Sequence, residues 1–414
     1  MKKFLSLIYF ILYFSSLYGF SLDERLSLII KNYDLQPLNC KKPKDSSLGK
    51  IGEFFFNNNF LSGDESVSCK TCHLQEHNLT DGNSLPIGVG GEGLGQDRMK
   101  SKGVLVKRNV ITLFGRGDNS YINFFWEGRV ELGDDGFIYS PFGEYLPKGF
   151  NNALAVASAM PLVERDEFVG GGTMNSGNIL SEKLDDKYYE ESLEAFNQMI
   201  PRLFERLSEE ELSEFKSLLS GYNKTMSISN LKIWDIGNAL SEFIKTKFPC
   251  KQNKWEKYMK GAKDILTNEE KKGAILFYGK GKCAACHSGS FYTNFKHSSI
   301  ALPQSRYGPT IFNKDFGRNR VTNLFDDKYL FRVPSLRRVS KTSPYGHNGI
   351  FPTLKSIIKH HLNPIPYLYK SLEESPEMFF KQGEIIKSRS PILGFESITS
   401  DGEINKIVSF LKTL

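Results

Sequence analysis

Histidine is scarce in this sequence, and long apolar runs and strand-like alternation are scarcer still. The 414 residues include 7 histidines and 6 cysteines, so any metal or cofactor chemistry has few ligands to draw on. No apolar run reaches the ~20 residues that a membrane-spanning helix needs, and neither a low-complexity tract nor a solenoid period is present. Hydrophobic residues make up 40% and charged residues 24%, as in soluble globular proteins. The length fits two or three domains.

The N-terminus has the pattern of a secretory signal. The basic start Met1-Lys2-Lys3 precedes a largely apolar run from Phe4 to Tyr13 and a cleavage zone, Ser15-Ser16-Leu17-Tyr18-Gly19. An uncleaved anchor is disfavoured, because the run is shorter than the ~20 residues of a spanning helix. We therefore predict a signal peptide over residues 1–19, export to the periplasm, and no membrane span after cleavage.

Four of the six cysteines fall in two CxxCH motifs, Cys69-Lys70-Thr71-Cys72-His73 and Cys283-Ala284-Ala285-Cys286-His287. Two thiols at this spacing can reach the two vinyl groups of a haem, and the next residue places an imidazole on the iron. A zinc site would gather its ligands locally, and a redox dithiol does not explain a histidine after both pairs. The motifs predict two covalent c-type haems, with His73 and His287 as iron ligands.

Two cysteines remain, Cys40 and Cys250. Exported proteins meet an oxidising compartment, so a disulfide between the N-terminal arm and the inter-domain segment is one interpretation. Two free thiols are the other, and the sequence leaves both open.

The chain reads as two copies of one module, mostly α-helical with long loops. We predict two cytochrome c-like domains. The N-terminal domain covers residues 20–255 and contains an insertion, and the C-terminal domain covers residues 256–414. A capping box at Thr267 and Glu270 marks the start of one helix. Periodicity predicts helices at residues 48–56, 181–216, 231–245, 271–278 and 401–414, with residues 251–260 as the linker.

Several further motifs, in the right order along most of the mature chain, resemble those of the bacterial dihaem cytochrome c peroxidases. That family includes the dihaem enzyme that matures methylamine dehydrogenase. The motifs are the helix of residues 48–56, Thr80-Asp81-Gly82, Arg108-Asn109, Phe125-Trp126-Glu127-Gly128-Arg129, Phe331-Arg332-Val333-Pro334-Ser335-Leu336-Arg337, Pro344-Tyr345-Gly346-His347-Asn348-Gly349 and the closing helix of residues 407–414.

The resemblance implies roles for individual residues. Trp126 matches the tryptophan between the two haems. Glu167 matches the distal glutamate beside the peroxide-binding iron, where a carboxylate can move a proton between peroxide oxygens; Glu164 and Asp166 are its close competitors.

Two metal positions are implied as well. His361 stands where the family places the sixth ligand of the C-terminal haem, usually Met or Tyr, and His360 is its rival. Asn109, Thr342 and Pro344 match the shell of a calcium ion between the domains, a hard-cation pattern of side-chain and carbonyl oxygens.

The sequence departs from the family in the N-terminal half. Most members carry a gating histidine after the first CxxCH, but residues 78–108 contain none, which leaves His77, Met99 or Glu167 to approach that iron. The usual glutamine before Pro161 is missing, and the segment of residues 131–152 has no assigned role.

The resemblance implies a peroxidase that reduces hydrogen peroxide to water. Electrons would enter at the C-terminal haem from a small donor, a cytochrome c or a cupredoxin, and reach the N-terminal haem by way of Trp126. The alternatives are a dihaem oxidase of another substrate or protein side chain and a non-catalytic dihaem electron carrier. A homodimer remains open. No nucleic-acid partner is inferred from the net charge of +7, because four haem propionates would bring it towards neutral.

Overall fold

The computed structural model describes residues 19–40, 43–171, 178–184, 187–304, 314–374, 378–393 and 400–414. The predicted signal peptide therefore lies outside the described residues, apart from Gly19. None of the described helices combines the length and apolar character that a membrane crossing requires.

Helices dominate the described part of the chain, together with five short strands. The helices are α1 (Leu22–Asn32), α2 (Ser47–Asn57), α3 (Cys69–Cys72), α4 (Gly95–Arg98), α5 (Ala153–Ala159), α6 (Ser181–Leu184), α7 (Tyr189–Phe204), α8 (Glu209–Tyr222), α9 (Ile233–Lys247), α10 (Lys254–Met259), α11 (Asn268–Tyr278), α12 (Asn319–Thr322), α13 (Leu354–Leu362), α14 (Ile365–Glu374), α15 (Met378–Ser388) and α16 (Asp401–Leu411). The strands are β1 (Asn123–Phe124), β2 (Val130–Leu132), β3 (Ile138–Tyr139), β4 (His297–Ser298) and β5 (Phe331–Arg332).

The N-terminal core forms where α2 crosses α9, with α5 packed on the other side of α9. The crossing is tight because Gly52 has no side chain: a Cβ there would lie 2.0 Å from the Ala239 carbonyl oxygen. Buried phenylalanines, including Phe55 and Phe215 with ring centroids 5.4 Å apart, fill the interior. This packing holds the short helix α3, which carries the first CxxCH, against α2.

The C-terminal core forms where α11 crosses α16. The predicted capping box is confirmed: the Glu270 amide donates to Thr267 Oγ1 at 3.3 Å, and the Thr267 amide donates to a Glu270 carboxylate oxygen at 2.7 Å. The cap fixes where α11 begins. The turn that carries the second CxxCH follows α11 directly.

The sequence prediction of a linker is wrong, because residues 251–260 contain α10, whose Trp255 is fully buried in the C-terminal core. The helical periodicity of residues 181–216 falls on three helices in the described part of that stretch, α6, α7 and α8. Helix α7 ends at Phe204, and Ser208 caps the start of α8 with a hydroxyl that accepts the Glu211 amide.

The division into two domains at residue 255 stays a prediction. The two hydrophobic cores, however, do not divide the chain into one N-terminal and one C-terminal stretch. Helix α1 lies on the C-terminal side, where Leu26 and Leu35 pack in the same core as Trp255. Leu38, three residues further on, already belongs to the N-terminal core. The first residues described are therefore part of the C-terminal body.

A disulfide joins Cys40 to Cys250 with Cα atoms 5.2 Å apart, which settles the question that the sequence left open. It ties the arm that follows α1 to the segment that precedes α10.

The strands place the Phe125–Arg129 motif between the two cores. Strands β1, β2 and β3 form an antiparallel meander, and the motif is the loop between β1 and β2. The Arg332 amide of β5 donates to the Trp126 carbonyl oxygen at 2.7 Å, so a C-terminal strand holds this N-terminal loop.

Candidate functional site

The first CxxCH lines a cavity of about 1660 Å³. Ser68 starts α3, where its amide donates to Thr71 Oγ1 at 2.9 Å, and His73 follows the helix. His73 Nδ1 lies 2.9 Å from the Leu79 carbonyl oxygen, to which it donates its proton. The other ring nitrogen, Nε2, is then free to bind a metal. Burial lowers the pKa of His73 to about 4, which keeps the imidazole neutral as a ligand must be.

The second CxxCH lines a smaller cavity, of about 240 Å³. His287 Nδ1 lies 3.2 Å from the Tyr292 carbonyl oxygen, and burial lowers its pKa to about 4, with a further contribution from His361. His361 lines the same cavity, and its Nδ1 lies 2.8 Å from the Ile357 carbonyl oxygen. Both imidazoles are thus anchored through Nδ1, which suits a metal held between two histidines.

His360 does not share this cavity. Its ring packs against Phe351, with centroids 4.8 Å apart, and against Tyr367 at 5.4 Å. Of the two candidate sixth ligands, the geometry therefore favours His361.

The residues fit haem rather than the alternative cofactors. The four motif cysteines are free thiols, each beside a cavity and each pair followed by an anchored histidine. In the described part of the chain, no three His, Cys, Asp or Glu side chains converge as a zinc site would require.

Trp126 belongs to the wall that separates the cavities, since it lines both of them. Its indole N–H donates to the Asn109 carbonyl oxygen at 2.8 Å, and its ring meets His347 edge-on with centroids 6.5 Å apart. An aromatic side chain fixed at this point suits an electron path between two haems.

The three candidate calcium ligands lie beside the second cavity. Asn109, Thr342 and Pro344 all line it. The Asn109 side-chain amide donates to the carbonyl oxygens of Asn83 at 2.8 Å and Ser84 at 3.1 Å. The calcium site itself stays a prediction.

The candidate acid–base group, Glu167, lies in a π-helical turn, Arg165–Val169, on the wall of the first cavity. Such turns are frequent at functional sites. Burial raises the pKa of Glu167 to about 7, although the Arg129 guanidinium opposes the rise. Burial also raises the pKa of the Cys69 thiol to about 12, and the Glu167 charge adds to that rise, so this carboxyl is close to the first motif.

The two rival carboxyls are placed differently. Glu164 is committed to an ion pair with Arg129, and it accepts a hydrogen bond from the Tyr189 hydroxyl at 2.8 Å. Asp166 has a pKa raised by burial, with Lys107 opposing the rise. Arg129 Nη2 reaches Glu167 only at 3.8 Å. Glu167 thus combines a pKa of about 7 with only a long contact to Arg129.

The two candidate iron ligands in the loop after the first motif, His77 and Met99, lie away from this cavity. Met99 is 44% exposed at the surface, and His77 lies against Gly82; neither lines the cavity. Residues 133–144 of the unassigned segment form part of its outer wall. The sequence did not point to Tyr189, which comes from α7 and belongs to none of the motifs.

The comparisons with known proteins agree with this geometry. The sequence profile of the di-haem cytochrome c peroxidases matches residues 46–264, just over half of the chain. The chain is 27% identical over 333 residues to the cytochrome c peroxidase Ccp of Escherichia coli strain K12, which covers 80% of this chain but only 56% of that protein. It is 21% identical over 386 residues to the methylamine utilization protein MauG of Methylophilus methylotrophus, covering 88% of this chain and 90% of that one.

A solved structure gives the same fold. The diheme peroxidase BthA of Burkholderia thailandensis E264 superimposes with a TM-score of 0.60 at 17% identity, over 92% of this chain and 89% of that one. The paired cytochrome-type motifs, their anchored histidines and these similarities confirm the resemblance: the chain belongs to the di-haem cytochrome c peroxidase family, a family of oxidoreductases.

Proposed function

We propose that this chain is a periplasmic dihaem peroxidase that reduces hydrogen peroxide to two molecules of water, using two protons and two electrons from a small redox donor. The bound haems supply the redox chemistry. The observation that carries the proposal is the position of Glu167, a carboxyl with a pKa near 7 on the wall of the cavity that contains the first CxxCH.

The two cavities differ in a way that separates electron entry from chemistry. The second is lined by two histidines, His287 and His361, which would both ligate its haem iron, and a haem with two such ligands would be suited to electron transfer. The first has His73 on one side and, among the described residues that line it, no second histidine or methionine. His73 would hold the haem iron here, and Glu167, on the cavity wall, would stand near the peroxide that this haem would bind.

Glu167 can perform the proton movement that O–O cleavage requires. With haem and peroxide in the cavity, its carboxylate would accept a proton from one peroxide oxygen and return it to the other, which would leave as water. A pKa near neutrality suits both halves of this transfer. Arg129 and Glu164 act on the ionisation of this group, as positioning residues.

Electrons are expected to travel from the second cavity to the first through the shared wall. Trp126 lines both cavities and is held at its indole nitrogen by Asn109. A cytochrome c or a cupredoxin is the class of donor that we propose for the C-terminal haem.

Two features support export. The sequence of residues 1–19 has the three regions of a signal peptide. The Cys40–Cys250 disulfide is typical of an oxidising compartment.

Oxidation of an organic substrate or a protein side chain is the second candidate, favoured by the similarity to MauG. Histidine at position 361, where tyrosine accompanies the maturation chemistry, favours the peroxidase.

The test is the optical and EPR spectrum of the purified holoprotein, oxidised and half-reduced, before and after peroxide. We expect a high-spin signal that peroxide removes, and a turnover that Glu167→Gln lowers by ~10²–10⁴-fold. Glu210→Gln, an exposed change on α8, is the matched control. If both haems stay low-spin and inert in every redox state, the protein is an electron carrier.

A further inference from the structure

Two arginines lie in the wall between the cavities with no carboxylate against them. Arg116 and Arg332 are 6% and 1% exposed, and both line both cavities. In the part of the chain that the structure describes, neither forms an ion pair with an acidic side chain. Arg108, on the wall of the first cavity, shows the contrast, because it pairs with Glu127 and Asp315.

Only some of the nitrogen atoms of each guanidinium donate hydrogen bonds to the described residues. Arg116 Nε donates to the Thr112 carbonyl oxygen at 2.8 Å, and Arg332 Nε donates to the Phe125 carbonyl oxygen at 2.8 Å. Arg332 Nη1 also donates to the Tyr121 hydroxyl at 3.0 Å. Both Nη atoms of Arg116 and Nη2 of Arg332 have no acceptor among the described residues, and these atoms border the cavities.

This arrangement is costly unless an anion completes it. An unpaired buried charge is among the most unfavourable features of a protein interior. Burial lowers the pKa of Arg332 to about 10. Burial also lowers the pKa of Arg116 well below its ordinary value, and the like charge of Arg332 adds to this fall. The Tyr121 ring, 4.1 Å from Arg116 Cζ, offsets only part of this cost.

The nearest carboxylate cannot serve both groups. Glu127 is already shared between Arg108 and Arg129, with Arg129 Nε 3.4 Å from its Oε1. The planar fork of donors on a guanidinium matches a carboxylate. Each of the two cavities would hold one haem, and each haem carries two propionate carboxylates.

We propose that Arg116 and Arg332 form a clamp that binds propionate carboxylates from both haems in the shared wall. This inference rests on the proposed haem content but not on peroxide chemistry. Because the clamp adds positive charge beside both irons, it favours the ferrous state of each haem and so raises both reduction potentials.

The test is a spectroelectrochemical titration of the holoprotein and of Arg116→Gln and Arg332→Gln. Haem content is checked first by the absorbance of the alkaline pyridine complex. Arg206→Gln is the matched control, because Arg206 donates to the carbonyl oxygens of Ser62 and Gly63 and lines neither cavity. We expect both midpoint potentials to fall in the two clamp variants and to stay unchanged in the control.

A lysine variant distinguishes loss of charge from misfolding. Arg332→Lys keeps the positive charge, so its midpoint potentials should lie close to those of the unsubstituted protein. Unchanged potentials in fully loaded clamp variants, or a fall confined to one haem, would overturn the shared clamp. An added series of acetate concentrations separates the sources of carboxylate. If the midpoint potentials of the unsubstituted protein change with acetate concentration, the two guanidiniums bind free anions and propionate binding is refuted. Potentials that stay constant support propionate binding. Failure of peroxide turnover alone would leave these potentials, and hence this inference, intact.

Discussion

The pH dependence of the reaction with peroxide tests the role of Glu167 most directly. Burial raises its pKa to about 7, from an ordinary value of 4.5. If the ionised carboxylate is the base, the bimolecular rate should follow its ionised fraction, about 9% at pH 6 and about 91% at pH 8. The rate should therefore rise about tenfold between these pH values. A carboxyl of ordinary pKa would already be about 97% ionised at pH 6, so its rate would be nearly flat.

Two neighbouring variants predict shifts of opposite sign. Arg129 favours the charged form of Glu167, so Arg129→Gln should raise the Glu167 pKa and move the half-maximal rate to higher pH. Glu164 disfavours the charged form, so Glu164→Gln should lower the pKa and move the half-maximal rate to lower pH.

Stopped-flow absorbance of the half-reduced holoprotein, mixed with excess peroxide from pH 5.5 to 8.5, measures the profile. Glu167→Gln should be slow and flat across this range, whereas Glu210→Gln should keep the original profile. A rate in the unsubstituted protein that does not change between pH 6 and 8 would refute the assignment of the base. So would a Glu167→Gln profile that keeps the tenfold rise.

Three further predictions concern the second haem, the wall and the disulfide. His361→Ala should convert the C-terminal haem from low-spin to high-spin in the EPR spectrum, whereas His360→Phe should leave it low-spin; the reverse pattern would make His360 the ligand. Trp126→Phe should slow electron transfer between the haems after rapid reduction of the C-terminal one, without changing either optical spectrum, and an unchanged rate would remove Trp126 from the path. Replacing Cys40 and Cys250 together by serine opens a loop of 210 residues and should lower the free energy of unfolding in urea by about 2–5 kcal/mol, so an unchanged midpoint would contradict a structural role.

The parts of the site that could be predicted are those that chemistry confines to a short stretch of chain. Thioether attachment requires two cysteines and a histidine within five residues, and a helix cap such as Thr267 with Glu270 lies within four. The positions of α11, α16 and both cytochrome motifs followed from such local patterns.

The ion pairs around the first cavity could not be predicted in this way. Arg129, Glu164 and Tyr189 come from a loop, a turn and a helix that are far apart in sequence. Nothing local marks their meeting, because burial of charge is a property of the assembled fold. The same holds for Arg116, which belongs to no motif and stands out because no carboxylate of the described residues pairs with it.

The segment of residues 251–260 shows a tertiary effect of another kind. Its lysines resemble a solvated linker, but Trp255 and Tyr258 stack with ring centroids 5.3 Å apart and are both fully buried. Helix α1 is part of the core that covers them. The sequence of α10 alone shows its charged face and predicts a linker. Its aromatic face is buried only because α1, more than 200 residues earlier in the chain, packs in the same core.

The path of the backbone between the two cores restricts how the two bodies can move. The chain enters the N-terminal core between Leu35 and Leu38 and leaves it between Phe248 and Trp255, and the disulfide joins the two crossings. The N-terminal body is thus an insertion within the C-terminal one, attached at a doubled and covalently stapled stem. A single tether would permit twisting, but a stapled pair of crossings resists it. Under the proposed function, the stem would therefore hold the distance between the two haems constant, whether or not a partner is bound.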